Sequence, residues 1–251
     1  MKKIALAFSV LILTLVGCKT EEKELGFTEK VEKAHHLEAF AAKEAIQFDF
    51  NLVFGGKERM DAKLTLLTNS TKSVIEFKDG TKIIADGSKV YYSPTLANEE
   101  AVRFDAYTWS YFFLFPYKLS DPGTIWNPYT STEKDQANYL TEKLTFSSGT
   151  GDAPDDWYVV YADAKTHLLE KAAYIVTVRG DIEKANENPH AIQYLNYKEV
   201  EGIPIATQWA FWGWKEGTGL TEQIGKGSLS TIQFVTVNAD TFTPGADFKT
   251  K

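Results

Sequence analysis

Cysteine is all but missing from this chain: Cys18 is the single example among 251 residues. No internal disulfide can form, so packing and hydrogen bonds have to hold the fold. Histidine occurs four times and methionine twice. His35 and His36 are adjacent, which makes them diverge on a helix, and His167 and His190 fall in separate loops, so the clustered ligands of a zinc site are missing. The acidic group Asp152, Asp155 and Asp156 lacks the spacing of a calcium loop and reads as a solvated loop. There is no Gly-x-Ser-x-Gly elbow, and no serine–histidine pair stands out. Beyond residue 17 no apolar run approaches the roughly 20 residues of a membrane-crossing helix. These gaps argue against an enzyme, and no cofactor or metal is expected.

What is present begins at the N-terminus. Lys2 and Lys3 precede an apolar run from Ile4 to Val16, broken only by Ser9 and Thr14, and Gly17-Cys18 ends it. This positive, apolar, small-residue order is that of a secretory signal peptide. Leu15-Val16-Gly17-Cys18 resembles the lipobox of bacterial lipoproteins, which implies cleavage before Cys18 and acylation of its thiol. One acyl chain holds a membrane only marginally, whereas two or three hold it firmly, so the expected partner is a membrane, reached through Cys18. Residues 1–17 are then a signal peptide and residues 18–27 a lipidated tether. Lys19-Thr20-Glu21-Glu22-Lys23-Glu24 is a polar linker that also loosely resembles the surface-export signal of Bacteroidota lipoproteins. An outer-membrane location is expected, on the periplasmic face or at the cell surface. Without Lys2 and Lys3 there remain 25 basic and 34 acidic residues, a balance of −9, which disfavours nucleic acid.

Residues 28–251 read as one domain, mainly β with some helix. Thr28 as N-cap, Glu29 and Glu32 in the first turn, and Val31, Ala34, His35 and Ala39 at helical spacing predict a helix over 28–43. The period then falls to two. Ile46, Phe48, Phe50, Leu52 and Phe54 alternate with Gln47, Asp49, Asn51 and Val53, and after Gly55-Gly56 the alternation resumes through Met60, Ala62, Leu64 and Leu66. Asp79-Gly80 and Asp86-Gly87 separate three further short strands, as tight hairpins in which both turn residues take positive φ. Strands joined by such short turns exclude a parallel sheet. Later strands are expected over 139–146, 157–162, 168–178, 192–200, 203–214, 220–224 and 229–238, with 122–128, 147–156 and 180–189 as loops.

Between the two groups of strands, Phe104 to Tyr117 is crowded with aromatic residues. Asn98 suits a cap and Pro116 a stop, and Phe104, Tyr107, Thr108, Tyr111, Phe112 and Phe115 fit one helical face. The wider set, with Trp109 and Phe113, cannot all meet one sheet, because successive residues turn by about 100°. Most serve as core; the rest must face a cavity, a second helix, a partner or a membrane. Near the C-terminus, Trp209 and Phe211 fall on one face of a strand and Trp212 and Trp214 on the other. Helices covering both faces are the simplest account, with a pocket inside or a sugar-stacking or membrane-facing platform outside as the alternatives.

An N-terminal helix, a long antiparallel meander and a mid-chain aromatic helix together resemble the LolA/LolB-type lipoprotein carrier superfamily. The likeness rests on Val31-Glu32-Lys33-Ala34-His35, Phe48-Asp49, Tyr111 through Pro122, and Tyr197-Lys198-Glu199-Val200-Glu201-Gly202-Ile203-Pro204. Within it the chain is most similar to uncharacterised Bacteroidota lipoproteins. The resemblance implies a curved antiparallel sheet, an incomplete β-barrel of about 10–12 strands, with the N-terminal helix and the aromatic helix packed in its concave face. It further implies a non-enzymatic protein that holds an acyl chain or another hydrophobic ligand in that concavity, here anchored rather than free. The ligand-binding residues expected on this reading are Phe48, Phe50, Tyr107, Tyr111, Phe112, Phe115 and Trp212. The alternative is a surface-exposed glycan- or protein-binding module that uses exposed aromatics such as Trp209 and Trp214. The anchor has a direct check: Cys18→Ser should move the protein out of the membrane fraction, and retention there would contradict acylation at Cys18.

Overall fold

Helical spacing near the N-terminus gives two short helices, α1 (Phe27–Ala34) and α2 (Leu37–Ala41), in a computed structural model that describes residues 24–178 and 180–251. Cys18 and the signal segment lie outside the described residues. The single helix expected over 28–43 is broken at His36, whose backbone is left-handed (φ 55°) and whose Nδ1–H donates to Gly202 O at 2.6 Å. Gly26, not Thr28, is the N-cap; its N–H donates to Glu29 Oε2 at 2.7 Å.

Period-two alternation then builds β1 (Ala45–Phe54), β2 (Lys57–Leu67), β3 (Lys72–Phe77), β4 (Lys82–Asp86) and β5 (Lys89–Tyr92) as one meander. The aromatic segment is α3 (Val102–Leu114). A second meander follows, of β6 (Thr124–Pro128), β7 (Tyr139–Phe146), β8 (Tyr158–Asp163), β9 (Leu169–Tyr174), β10 (His190–Val200), β11 (Ile203–Lys215) and β12 (Gly219–Val235), with a short α4 (Ile182–Glu187) between β9 and β10 and β13 (Lys249–Thr250) last. β1 pairs with β12, which joins the meanders into one antiparallel sheet of order β13-β5-β4-β3-β2-β1-β12-β11-β10-β9-β8-β7-β6. Among the described residues all thirteen strands belong to it. This is the expected curved, open barrel, with differences of detail. β6 falls where Pro122-Gly123 and Asn127-Pro128 predict a loop; it is an edge strand, where proline is tolerated. β12 is one strand, not two, and β13 and α4 lie in segments whose sequence reads as irregular. The Asp-Gly turns take only their glycines to positive φ, 83° at Gly80 and 59° at Gly87.

Curvature is concentrated on β12. Its pairing slips once against β1, beside Thr231 at φ 52°, and twice against β11, and each extra residue bends and twists the strand that carries it. Gly225 and Gly227 let the bend close on its neighbours: a Cβ on Gly225 would lie 2.6 Å from the Phe54 ring and one on Gly227 2.9 Å from Phe50. The concave face collects Ile46, Phe48, Phe50 and Leu52 from β1, and α3 covers them. Phe113 stacks on Phe48 with centroids 4.6 Å apart, and Trp109 meets Phe50, Phe54 and Phe211 at 6.0–6.4 Å.

A buried carboxylate helps fix α3 in this position. β2 has an extra residue at Arg59, between the pairs Leu52–Met60 and Val53–Glu58, and such bulges re-aim side chains. Arg59 Nη2 donates to both oxygens of buried Asp105 at 2.9 Å, and Trp109 Nε1 donates to Asp105 Oδ1 at 3.0 Å. α1 is tied in a similar way. Buried Glu32 accepts from Ser120 N and Oγ at 2.9 and 3.0 Å, and His35 Nε2 accepts from Leu169 N at 3.0 Å.

The outer face is covered by irregular segments. The end of the chain packs Phe242 and Phe248 on Val74 and Ile84. Tyr129 and Tyr139 pack over the outer side of β8 to β11, where Glu133 holds Lys171 Nζ at 2.5 Å and Tyr161 OH at 2.5 Å in a fully buried pair.

Both inner anchors can be tested. Asp105→Ala leaves an indole N–H and a half-buried guanidinium without their acceptor, so it should cost about 3–5 kcal/mol in denaturant unfolding. Burial pushes the His35 imidazole down to about 3, with His36 adding to the effect. The folded state therefore excludes a proton that the unfolded chain accepts near 6.5, so this contribution is complete above pH 6.5 and is lost as pH falls towards 3. In His35→Gln, whose amide can still accept from Leu169 N, stability should fall less steeply between about pH 6.5 and 4.5; an unchanged pH profile would contradict the assignment.

Candidate functional site

α3 is too aromatic to spend all its faces on the sheet, and the structure shows where the remainder goes. Val102, Asp105, Ala106, Trp109, Phe112 and Phe113 are buried. The flank made by Phe104, Tyr107, Thr108 and Tyr111 borders a cavity of about 610 Å³ instead. Its far wall is Phe146 of β7, Tyr158 of β8, Tyr174 of β9 and the following Val176 and Val178. The loop after β7 supplies Thr150, Gly151, Asp152, Ala153 and Asp156, and the β4–β5 turn supplies Gly87 and Ser88.

The loop is held over the cavity by named contacts. Gly123, at φ 93°, lies so close to Thr150 that a Cβ would be 2.3 Å from its Oγ1, and Ser147 N donates to Gly123 O at 2.8 Å. Arg103 pairs with Asp152, its Nε 2.9 Å from Oδ1, while its Nη1 donates to Ser88 O at 3.2 Å. Tyr107 OH donates to Gly87 O at 3.1 Å. The α3 N-terminus thus bridges the β4–β5 turn and the 147–156 loop. Val178, 43 % exposed, lies at the cavity edge.

Most of the exposed lining surface is apolar, and one cluster of polar groups stands around Asp156. Asp156 Oδ1 accepts from Thr177 N at 2.8 Å and from Thr177 Oγ1 at 2.7 Å. Burial outweighs these two bonds and, with Asp155 near, raises its carboxyl above the usual range. The Tyr111, Tyr158 and Tyr174 hydroxyls all feel the Asp156 charge, and burial first, with that charge adding to it, holds them far above their ordinary pKa. They are neutral hydrogen-bonding groups. Lys118 is bound to Asp121 and donates to Ser70 Oγ at 2.8 Å.

Of the residues expected to bind ligand, Tyr107, Tyr111 and Phe112 line the cavity. Phe115 backs it, 5.4 Å from the Tyr111 ring and 5.1 Å from that of Tyr158. Phe48 and Phe50 are buried against Phe113 and Trp109, in the part of the concavity that α3 fills. Trp212 points to the outer face, as the alternation requires, beside Trp214 and Tyr129. The exposed-platform alternative meets a correction here: Trp209 and Trp214 are both buried, at 2 % and 7 % exposure. The outer face is covered by the Tyr129–Tyr139 segment, with Trp157 bonded to Asn186 of α4 at 2.8 Å, so helices do not cover both sides of β11. Sequence reasoning does not single out Arg103, Tyr158 or Tyr174. The clustering of Asp152, Asp155 and Asp156 is the only local signal; Asp152 and Asp155 are exposed as a solvated loop requires, whereas Asp156 is half-buried and bonded to Thr177.

A profile of a family of unknown function, DUF6503, matches residues 32–207. The chain belongs to the DUF6503 family. Every cavity-lining residue of this DUF6503 chain falls inside the matched span. No curated protein matches it significantly by sequence. Among solved structures it is similar to a LolA superfamily protein from Nitrosomonas europaea, with TM-score 0.57 and 10% identity over 88% of this chain and 98% of that one. It is also similar to a Vibrio parahaemolyticus domain named for outer membrane lipoprotein sorting, with TM-score 0.51 and 11% identity over 87% and 97% of the two chains. The DUF6503 chain therefore has the LolA-like fold.

The bridge over the cavity is testable. Arg103→Ala should speed amide hydrogen exchange across residues 149–153 while the β1–β2 ladder keeps its protection; unchanged loop exchange would show that the ion pair does not restrain it.

Proposed function

We propose that this protein is a non-enzymatic lipoprotein, anchored to the outer membrane through Cys18, that holds one alkyl or acyl chain between α3 and the β7–β9 wall. The observation that carries the reading is the cavity itself: about 610 Å³, with aromatic and aliphatic side chains supplying most of its exposed lining and polar side chains at several points around it. Such volume and lining suit a small-molecule site. Transfer of each methylene from water contributes about 0.8 kcal/mol, so a chain needs few polar contacts to bind. The lipobox-like Leu15-Val16-Gly17-Cys18 supports the anchor, and the name of the similar Vibrio domain supports a connection with outer-membrane lipoproteins.

Native mass spectrometry of the full chain carrying Cys18→Ser tests the ligand. One dodecanol should bind per protein, and Thr108→Trp, which fills the cavity from the α3 flank, should abolish binding without lowering the melting temperature by more than about 5 °C. Absence of binding to the parent, or equal binding to the Thr108→Trp variant, would overturn the reading.

A further inference from the structure

One cluster of polar groups on the cavity wall, around Asp156, has chemistry that selects among ligands. Among the described residues the two cations on the lining are committed, Arg103 to Asp152 and Lys118 to Asp121. Among the described residues Asp156 is not paired with a cation. Its Oδ1 is occupied by Thr177 N and Oγ1, and Oδ2 is left to accept. Around it stand the hydroxyls of Tyr111, Tyr158 and Tyr174, which have no hydrogen-bond partner among the described residues, although Tyr158 and Tyr174 are 6 % and 7 % exposed. Buried hydroxyls ordinarily find a partner. The three tyrosine hydroxyls are not sealed in protein, and with the Asp156 carboxylate they border the same open space.

We propose that this cluster is a head-group site for an apolar chain ending in a hydrogen-bond donor without negative charge, a hydroxyl or an amine, and that it discriminates against carboxylate-headed chains. The inference rests on the proposed chain-binding function and names the ligand class. A hydroxyl head donates to Asp156 Oδ2 and accepts from a tyrosine hydroxyl. A carboxylate head meets no free cation among the described residues and lies beside Asp156, with Asp121 and Asp155 near. Like charges in a partly desolvated site repel strongly, whereas a hydrogen bond to a charged acceptor is among the stronger ones.

Isothermal titration at about pH 7.5 of the full chain carrying Cys18→Ser, with dodecanol, dodecylamine and dodecanoate, separates the possibilities. Dodecanol and dodecylamine should each bind at least about tenfold more tightly than dodecanoate. Asp156→Asn should shrink that gap by strengthening dodecanoate and weakening dodecylamine. Because Asp156 also holds Thr177, Tyr174→Phe serves as a second variant; it keeps the ring and should weaken dodecanol by several-fold. Equal affinities for the three heads in the parent, or a ranking unchanged in both variants, would overturn the head-group site while leaving chain binding in place. Failure of all three ligands to bind would overturn the chain-binding reading itself.

Discussion

The structure depends on one topological constraint: β5 and β6 are consecutive in sequence but stand near opposite edges of the sheet. The chain has to cross the concavity between them, and α3 is that crossing. A connector in that position is surrounded on several sides by protein, which explains a helix with aromatic residues around most of its circumference. Its seat is fixed by Asp105, which joins the bulged Arg59 of β2 to Trp109 in a buried network. Hydrogen-bonded polar networks in the interior favour one arrangement.

The cavity follows from the same constraint. A straight helix cannot fill a curved sheet, and α3 packs its Trp109–Phe113 side against β1 and β11. The space left on its other flank is bounded by β7 to β9 and roofed by the 147–156 loop. Aromatic rings that would otherwise be in water are stabilised there by ring contacts, Tyr158 meeting Tyr111, Phe115, Phe146 and Tyr174 at 5.1–6.0 Å. The result is a preformed apolar space with a hydrogen-bonding region, which is what a chain with a small polar head requires.

Much of this is legible in the sequence, and the parts that are not have physical reasons. The period-two run from Ile46 and the Asp-Gly turns specify the antiparallel meander, because local alternation and turn chemistry are encoded within a few residues. The surplus of aromatics on 104–117 requires a second surface for the helix, and the cavity provides it. Phe48 and Phe50, expected as ligand contacts, lie outside the cavity lining, since which part of a concave face the helix occupies depends on the Arg59–Asp105 contact, 46 residues apart in sequence. Asp156 reads as solvated in the sequence for a similar reason: its burial comes from Thr177, Tyr158 and the return of the loop, none of which a local pattern shows. Trp209 and Trp214 fall on opposite faces as alternation predicts, but their cover comes from tertiary packing: Phe50 and Tyr194 on one side, and Trp157 on the other.

The most direct test of the central claim is photo-crosslinking of the full chain with a dodecyl alcohol bearing a diazirine on its tail, with modified residues mapped by peptide mass spectrometry. The account predicts labels on the cavity wall, at Phe112, Leu114, Phe146, Tyr158 and Val176. Labels confined to the outer face around Trp212 and Trp214, or scattered without saturation, would contradict it.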